Sequence, residues 1–351
     1  MSDDETFLTF DDVLIAPAYS DIESRQEIDT SVDFFGTKLE VPIISANMDF
    51  VTGAQMVHAM RENGALGILH RFYENEHDYY DEIASAGQPL FISIGVREPQ
   101  KSLDFIKWVV NVRGIELAGV CIDVAHGHHA KVAQMVEMIK GSVDDGIAGL
   151  SVIAGNIATL EGANFLRESG ADGIKVGIGA GSVCTTRTVA GVGVPQWSAI
   201  LECASIKIEY PDLIVIADGG IRSSSDIAKA IGAGADVVMI GNMLAGTDEA
   251  PGEIIEEWDK STAGERKKYK RYRGQASFGS NGERYVKEGI EGMVPYKGPV
   301  APIIQQIQAG LRSSMGYVGA RNLEEFRDNA KFVTVSSHTL MESNTRVDHY
   351  E

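Results

Sequence analysis

Cysteine is scarce in this sequence: Cys121, Cys184 and Cys203 are the only ones among 351 residues. Three cysteines so far apart form neither a disulfide framework nor a paired zinc motif, which favours a reducing setting. Also missing is any run of about 18 uncharged apolar residues that could cross a membrane. The start, MSDDETFLTF, lacks the basic and apolar regions of a signal peptide. We therefore expect a cytoplasmic protein that has no membrane partner.

Positive charge is in short supply as well, because the formal net charge is −19 at pH 7. Nonspecific binding to nucleic acid or to anionic membranes needs a basic face, so we expect neither partner. An anionic small ligand remains compatible with this acidity, since backbone N–H groups can hold a phosphate locally. The acidity itself fits a salty cell or a need for solubility, and the sequence leaves both open.

Short apolar runs, eight in number, recur through the first two thirds of the chain. They are rich in Val and Ile and do not alternate with polar residues, which is typical of strands buried on both faces of a parallel sheet. The runs are VPIISA from Val41, LGILH from Leu66, LFISIG from Leu90, AGVCID from Ala118, LSVIAG from Leu150, DGIKVG from Asp172, LIVIAD from Leu213 and DVVMIG from Asp236.

Helix-like stretches separate these runs, among them TGAQMVHAMRENGA, HAKVAQMVEMIKG, TLEGANFLRESGA and SSDIAKAIGAGA. Eight strand–helix units favour the α/β class, as a (β/α)8 TIM barrel. A doubly wound open sheet is the alternative, but its glycine-rich fingerprint would more often follow the first strand. Here the glycine-rich loop follows the sixth run, which favours the barrel.

Two segments are too long for simple connections. One is the loop between Val176 and Pro211, and the other is the chain after Gly241. The second includes ERKKYKRYRGQASFGSNGERYVKEGIEGMVPYKGPVAP, whose charge and glycine content predict a long surface loop or flap. Helical patterns return at APIIQQIQAGLRSSM and NLEEFRDNA. We expect one catalytic domain over 1–351, with 342–351 as a flexible tail.

Polar residues and glycines follow the runs where barrel enzymes carry their chemistry. Asp123 ends the fourth run and Asn156 follows the fifth, and glycine-containing turns at 218–220 and 241–242 begin at the last residues of the seventh and eighth. Backbone N–H groups at the last two turns suit a phosphate. Asp218 would repel a phosphate but could accept hydrogen bonds from sugar hydroxyls. Together these features indicate a nucleotide.

Cys184 lies in the glycine-rich loop KVGIGAGSVCTTRTVAGVG, which has little apolar bulk. Near backbone donors and beside two threonines, it could act as a thiolate nucleophile, whereas a small buried residue is the alternative. Cys121 lies within a predicted strand and Cys203 on a predicted helix, so we interpret both as buried. The sequence HGHH at 126–129 lacks a carboxylate at ligand spacing and is not favoured as a metal site. Carbonyls of the glycine-rich loop could hold a monovalent cation.

Four segments resemble the IMP dehydrogenase/GMP reductase family: GIGAGSVCTTRTVAGVGVPQ, ADGGIRSSSDIAKAIGAGADVVMIG, LTFDDVLIAPAYS and EGIEGMVPYKGPVAP. The likeness extends from Leu8 to about Ser337. It implies that Cys184 attacks purine C2 to form a thioimidate, and that Thr186 and Glu288 transfer protons. The implied substrate-binding residues are Ser182, Gly220 and Gly241 at the phosphate, Asp218 at the ribose, and Gly274, Gln275 and Ala276 at the base, together with Gly219, Asn242 and Tyr272.

The same resemblance implies a nicotinamide cofactor and K⁺. Asp123 and Asn156 would lie near the cofactor, and the carbonyls of Gly179, Gly181 and Cys184 would bind K⁺. Family members are usually tetramers, so a homotetramer is expected by analogy.

Two reactions are compatible with the resemblance. A GMP reductase converts GMP to IMP and ammonia with NADPH, whereas an IMP dehydrogenase oxidises IMP to XMP with NAD⁺ and water. The motif CTTRTVAGVGVPQ looks dehydrogenase-like, but the paired CBS insertion usual in dehydrogenases is missing between His70 and Leu90. An Arg284-Tyr285 pair resembles the water-activating pair of dehydrogenases, yet Tyr285 lies only three positions before Glu288. We favour GMP reductase, with IMP dehydrogenase and a non-catalytic nucleotide-binding protein as alternatives.

Overall fold

The strands define the architecture of the computed structural model, which describes residues 6–73, 75–258, 266–274, 289–336 and 338–343. In chain order they are β1 (Val13–Ala16), β2 (Val32–Phe34), β3 (Thr37–Leu39), β4 (Ile43–Ser45), β5 (Leu66–Leu69), β6 (Leu90–Ile94), β7 (Leu117–Asp123), β8 (Ser151–Ile157), β9 (Gly173–Val176), β10 (Ile214–Asp218), β11 (Val237–Ile240), β12 (Ile255–Trp258), β13 (Arg266–Arg273), β14 (Glu291–Pro295) and β15 (Lys331–Thr334).

Strands β4 to β11 form a closed parallel barrel. Each pairs with the next in sequence, and β11 returns to β4 with Met239 opposite Ile44. All eight apolar runs are barrel strands, so the predicted (β/α)8 fold is confirmed. The open doubly wound alternative is wrong, because the β11–β4 pairing removes both sheet edges.

Helices connect the strands and surround the barrel. They are α1 (Ala54–Glu62), α2 (Glu76–Ser85), α3 (Pro99–Lys107), α4 (Ala130–Lys140), α5 (Leu160–Glu168), α6 (Thr186–Val189), α7 (Gln196–Ala204), α8 (Ser224–Gly232), α9 (Val300–Tyr317), α10 (Leu323–Asn329) and α11 (His338–Ser343). A π-helical turn, Trp108–Val112, extends α3. No helix within the described ranges is long and apolar enough to span a bilayer.

Side-chain caps fix where several helices begin. Thr159 accepts a hydrogen bond from the Gly162 amide at the start of α5, and Ser223 does so from the Asp226 amide at the start of α8. Such a cap contributes about 1 kcal/mol to stability. Both helices directly follow the C-terminal ends of barrel strands, so their caps help to fix the loops that border the site.

A three-stranded antiparallel sheet of β12, β13 and β14 follows the barrel. The expectation of a long surface loop after Gly241 is wrong for these residues. Lys270 and Tyr272 are buried on one face of β13, whereas Arg271 between them is exposed. The strand therefore alternates between inside and outside, although its inward positions include a lysine that apolar patterning does not detect.

The described C-terminal residues form one strand and one helix. Strand β15 pairs antiparallel with β1, and α11 reaches Ser343. The start of the predicted flexible tail, 342–343, is therefore helical, and 344–351 lie outside the described residues. The single domain over 1–351 stays a prediction.

Candidate active site

The C-terminal ends of strands β7 to β10 bring the candidate residues together. Gly177, which follows β9, shows how closely they pack: a Cβ there would lie 1.9 Å from the carbonyl oxygen of Asp218. Its φ of +150° also favours glycine. The loop that carries Cys184 can therefore approach the end of β10 only because this residue has no side chain.

Cys184 is partly exposed, whereas the other two cysteines are buried. Its thiol donates a hydrogen bond to the Thr186 hydroxyl at 3.1 Å. Cys121 lies in β7 and Cys203 in α7, as predicted. Burial raises the pKa of the Cys121 thiol to about 12, and it raises the pKa of Cys203 as well. Cys184 is thus the cysteine placed to react with a ligand.

A segment from the C-terminal sheet docks against the cysteine loop. Gly289 forms an isolated antiparallel bridge with Cys184, and the Ile290 amide donates to the Val183 carbonyl at 3.0 Å. Gly274, at the end of β13, donates in turn to the Ile290 carbonyl at 3.0 Å. Backbone hydrogen bonds thus connect the end of β13 and the segment before β14 to the cysteine loop. Glu288, Gln275 and Ala276, and also Arg284 and Tyr285, lie outside the described residues.

Charged and amide side chains of four neighbouring strands meet beneath this loop. Lys175 Nζ lies 2.6 Å from Asp123 Oδ1 and 3.1 Å from Asp218 Oδ2. Asn156 Nδ2 donates to the same Asp218 oxygen at 2.9 Å. Burial tends to raise the pKa of Asp123, but the Lys175 ammonium outweighs it and holds that pKa below its usual range. The predicted Asp123, Asn156 and Asp218 are therefore neighbours.

Sequence reasoning missed Lys175 in this network. The available signal was a lone lysine within an otherwise apolar strand, because a fully buried lysine requires a charged partner. It missed Gln196 too, whose amide nitrogen donates to the carbonyls of Val176 at 2.8 Å and Asp218 at 3.2 Å. Gln196 thereby joins the ends of β9 and β10, a contact that its sequence position did not reveal.

The predicted phosphate residues lie around Tyr272. The Ser182 and Tyr272 hydroxyls are 3.4 Å apart, and a Cβ at Gly241 would lie 3.0 Å from the Tyr272 oxygen. Burial raises the pKa of Tyr272, so the phenol stays protonated and can donate a hydrogen bond. The Asn242 carbonyl accepts a hydrogen bond from Lys297, whose pKa is lowered to about 8 by burial.

Glycines 219 and 220 complete that region. Their φ angles are +99° and +78°, values that an L side chain rarely adopts. A Cβ at Gly219 would lie 3.2 Å from the Gly181 amide nitrogen, so the turn after β10 packs against the cysteine loop. The structure thus brings Ser182, Gly219, Gly220, Gly241 and Tyr272 to one edge of the barrel mouth.

An ion pair at the rim was also missed. Arg273 Nε donates to Asp49 Oδ2 at 2.6 Å, and the Arg273 guanidinium lies 5.0 Å from the centre of the Phe50 ring. Burial raises the pKa of Asp49, although Arg273 opposes this shift. Burial and the Arg273 charge together lower the pKa of nearby His70 to about 3. This contact joins the end of β13 to the loop after β4.

The predicted K⁺ ligands lie in the cysteine loop itself. Gly179 has φ +79° and packs against the Arg187 side chain, and the Gly181 carbonyl accepts the Cys184 amide at 3.1 Å. A carbonyl oxygen keeps a second lone pair after one such bond. Within the described ranges, no three His, Cys, Asp or Glu side chains are grouped as metal ligands.

Comparisons with known proteins show the family of this chain. Residues 7–346 match the family profile described as the IMP dehydrogenase / GMP reductase domain. The inosine-5'-monophosphate dehydrogenase of Aquifex aeolicus is 47% identical over 260 residues, which cover 70% of this chain and 50% of that protein. The GMP reductase of Leishmania donovani is 46% identical over 236 residues, 63% of this chain and 46% of that protein. The aligned part of this chain thus spans about half the length of each relative.

A solved structure matches the whole fold. It is a Cys→Ala variant of GMP reductase from Trypanosoma brucei in complex with guanosine 5'-monophosphate. Its TM-score is 0.85 at 31% sequence identity, and the match covers 99% of both chains. The resemblance stated from the four motifs is confirmed. The chain belongs to the IMP dehydrogenase/GMP reductase family of purine-nucleotide oxidoreductases.

Proposed function

We propose that this protein is a GMP reductase that converts GMP to IMP and ammonia with NADPH, through a covalent bond between Cys184 and purine C2. The observation that carries the proposal is the 3.1 Å hydrogen bond from the Cys184 thiol to the Thr186 hydroxyl. This thiol is partly exposed and lies where the ends of β9 and β10 meet. A nucleophile beside a proton-transfer partner is the arrangement that covalent catalysis requires.

The chemical steps use the protein's own groups in sequence. As the Cys184 sulfur adds to C2, the thiol proton is relayed through the Thr186 hydroxyl toward the amine, after which the C2–N bond breaks. The departing amine takes up a proton and leaves as ammonia, which gives the thioimidate. When bound, NADPH would supply a hydride to C2. The C2–S bond then breaks, IMP is released, and the Cys184 thiolate takes up a new proton from solvent, because its first proton left with the ammonia.

Glu288 is proposed to share the proton transfers with Thr186. Support comes from the next residue in the chain, Gly289, which is paired with Cys184. Arg284 and Tyr285 precede Glu288 too closely to act as a separate water-activating flap, and deamination needs no such flap. This spacing favours the reductase.

The nucleotide would lie across the ends of β9, β10 and β11. We assign the phosphate to Ser182, Gly220 and Gly241, with Gly219, Asn242 and Tyr272 completing that site. Asp218 would accept hydrogen bonds from the ribose. Gly274, Gln275 and Ala276 would contact the base through their backbone.

The residues present fit both predicted auxiliary groups chemically. The nicotinamide carboxamide carries donors and an acceptor, which the Asp123 carboxylate and the Asn156 amide can match. K⁺ prefers oxygen ligands, and the carbonyls of Gly179, Gly181 and Cys184 offer them. We further propose a cytoplasmic homotetramer.

IMP dehydrogenase is the second candidate, because the Aquifex relative carries that name. It would share the Cys184 adduct but would hydrolyse it. A non-catalytic nucleotide-binding protein is less well supported, since the Cys184–Thr186 pair is present.

Paired nicotinamide absorbance assays with K⁺ test the proposal. We expect absorbance to fall with GMP and NADPH, and to stay constant with IMP and NAD⁺. A rise in the second reaction without a fall in the first would establish the dehydrogenase instead. No change in either reaction, with nucleotide still bound, would favour the non-catalytic alternative.

A further inference from the structure

One buried lysine joins two carboxylates on opposite sides of the candidate site. Lys175 is 2% exposed, and its ammonium contacts both Asp123 and Asp218. These aspartates end β7 and β10, which β8 and β9 separate in the barrel. A single cation therefore spans the cofactor and nucleotide sides of the site.

The neighbouring strand leaves room for this side chain. Gly155 on β8 is the register partner of Lys175, and a Cβ there would lie 2.6 Å from the lysine Cβ. Any larger residue at 155 would displace the lysine. Burying an ammonium is unfavourable unless it is paired, so an apolar residue would serve packing alone as well or better.

The contacts also orient Asp218. Lys175 and Asn156 both donate to Oδ2. In the part of the chain that the structure describes, neither contacts Oδ1, which leaves that oxygen for a ribose hydroxyl. Fixing one oxygen fixes the carboxylate plane before the ligand arrives, and this reduces the entropy lost on binding.

We propose that Lys175 is a positioning residue for both halves of the active site: it orients Asp218 toward the nucleotide and holds the Asp123 carboxylate on the cofactor side. It acts through these two carboxylates. The inference rests on the proposed function, because that function assigns a ligand to each aspartate. A lysine suits the position, since its compact ammonium can contact two carboxylates at once.

Removing Lys175 should change the protonation of Asp123 if the lysine acts through its charge. A lysine that served packing alone would have no such effect. Burial favours the protonated acid and raises its pKa, whereas Lys175 lowers the pKa, with help from Arg71. Cys121 and Asp218 are the other titratable groups facing the lysine. Without Lys175, burial is less opposed, so the pKa of Asp123 should rise and the carboxylate should take up a proton at a higher pH than in the wild type.

Calorimetric titration of the full chain with GMP and with NADP⁺ tests this. Lys175→Met should weaken both ligands by about tenfold or more, the effect of losing a charged hydrogen bond. Its NADP⁺ affinity should also fall as the pH is lowered from about 8 to 5.5, while the wild type changes less. The matched control is Lys140→Met, because Lys140 pairs with Asp172 at 2.5 Å at the opposite end of β9. This control should leave both affinities unchanged.

A second variant keeps the inference testable if Lys175→Met does not fold. Lys175→Met/Asp123→Asn removes the buried carboxylate that has lost its lysine contact, so it should fold and bind GMP weakly, without the new pH dependence. Wild-type affinities in Lys175→Met, or a persistent pH dependence in the double variant, would overturn this inference but not the proposed function. A wild-type protein that binds neither GMP nor NADP⁺ would overturn the proposed function and this inference with it.

Discussion

The Cys184 thiol donates a hydrogen bond to the Thr186 hydroxyl in the loop that follows β9. The hydroxyl is close enough to relay the thiol proton as the sulfur attacks. The short helix α6 begins at Thr186, so the position of this hydroxyl is set by regular backbone. The two residues form the chemical centre of the proposed reaction.

Replacing Thr186 with valine should slow turnover and spare binding. Valine keeps the shape but removes the hydroxyl, so kcat should fall by about 100-fold or more, as for the loss of a general acid–base group. Steady-state kinetics and GMP titration measure both effects. Thr188→Val is the matched control, because the Thr188 hydroxyl bonds to the Thr185 carbonyl at an exposed position. Equal losses in both variants would contradict the role of Thr186.

Asp218→Asn should weaken GMP binding. The amide cannot accept as strongly as the carboxylate and also loses the ionic contact with Lys175, 3.1 Å away. We expect affinity to fall by roughly tenfold to a hundredfold, measured by calorimetry. Asp212→Asn, at the exposed N-terminal side of β10, is the control. Unchanged GMP affinity in Asp218→Asn would exclude the ribose assignment.

Gly177→Ala should disrupt the loop and the end of β10 together. The new Cβ would lie 1.9 Å from the Asp218 carbonyl oxygen, so one backbone segment must move. We expect a lower melting temperature and loss of GMP binding. Gly191→Ala is the control, because Gly191 also has positive φ, +69°, but a Cβ there meets nothing within 4 Å. Its cost is limited to about 1 kcal/mol of backbone strain. Similar effects of the two substitutions would refute the close approach.

His70 should make the fold sensitive to acid. Burial and Arg273 lower its pKa to about 3, and its Nδ1 accepts the Phe72 amide at 3.0 Å, which requires that nitrogen to be unprotonated. Between this pKa and about 6.5 the unfolded chain binds the extra proton, so stability rises with pH over that window and levels off above it. Through this linkage, His70 should make the free energy of unfolding roughly 2–3 kcal/mol larger at pH 7.5 than at pH 4.5.

Urea unfolding at both pH values measures that contribution. His70→Asn keeps an acceptor but cannot titrate, so it should narrow the stability difference between the two conditions. The exposed His58→Asn should not. An identical pH dependence in wild type and His70→Asn would contradict the prediction.

The barrel was predictable because its strands are mostly apolar and do not alternate with polar residues, and β9 is buried throughout. The strand ends were predictable for the same reason, since parallel strands place their C-termini at one edge. Asp123 and Asn156 were found in this way. Their roles came from the family resemblance, which patterning alone does not supply.

Other contacts depend on distant pairings that local pattern does not encode. Arg273 and Asp49 are 224 residues apart in sequence. Strand β13 escaped detection because its inward positions include Lys270, whose ammonium bonds to the carbonyls of Thr247 and Ala250. The role of Lys175 could not be predicted without knowing that Asp123 and Asp218 converge on one point.

Release of the GMP amine tests the account most directly. GMP labelled with a heavy nitrogen isotope in its exocyclic amine would be mixed with NADPH, K⁺ and the full chain, and labelled ammonia and NADP⁺ would be quantified together. The account predicts equal amounts of both from the wild type, and neither from Cys184→Ala, which should still bind GMP. Unconsumed NADPH with all label retained in GMP, or equal turnover by Cys184→Ala, would contradict it.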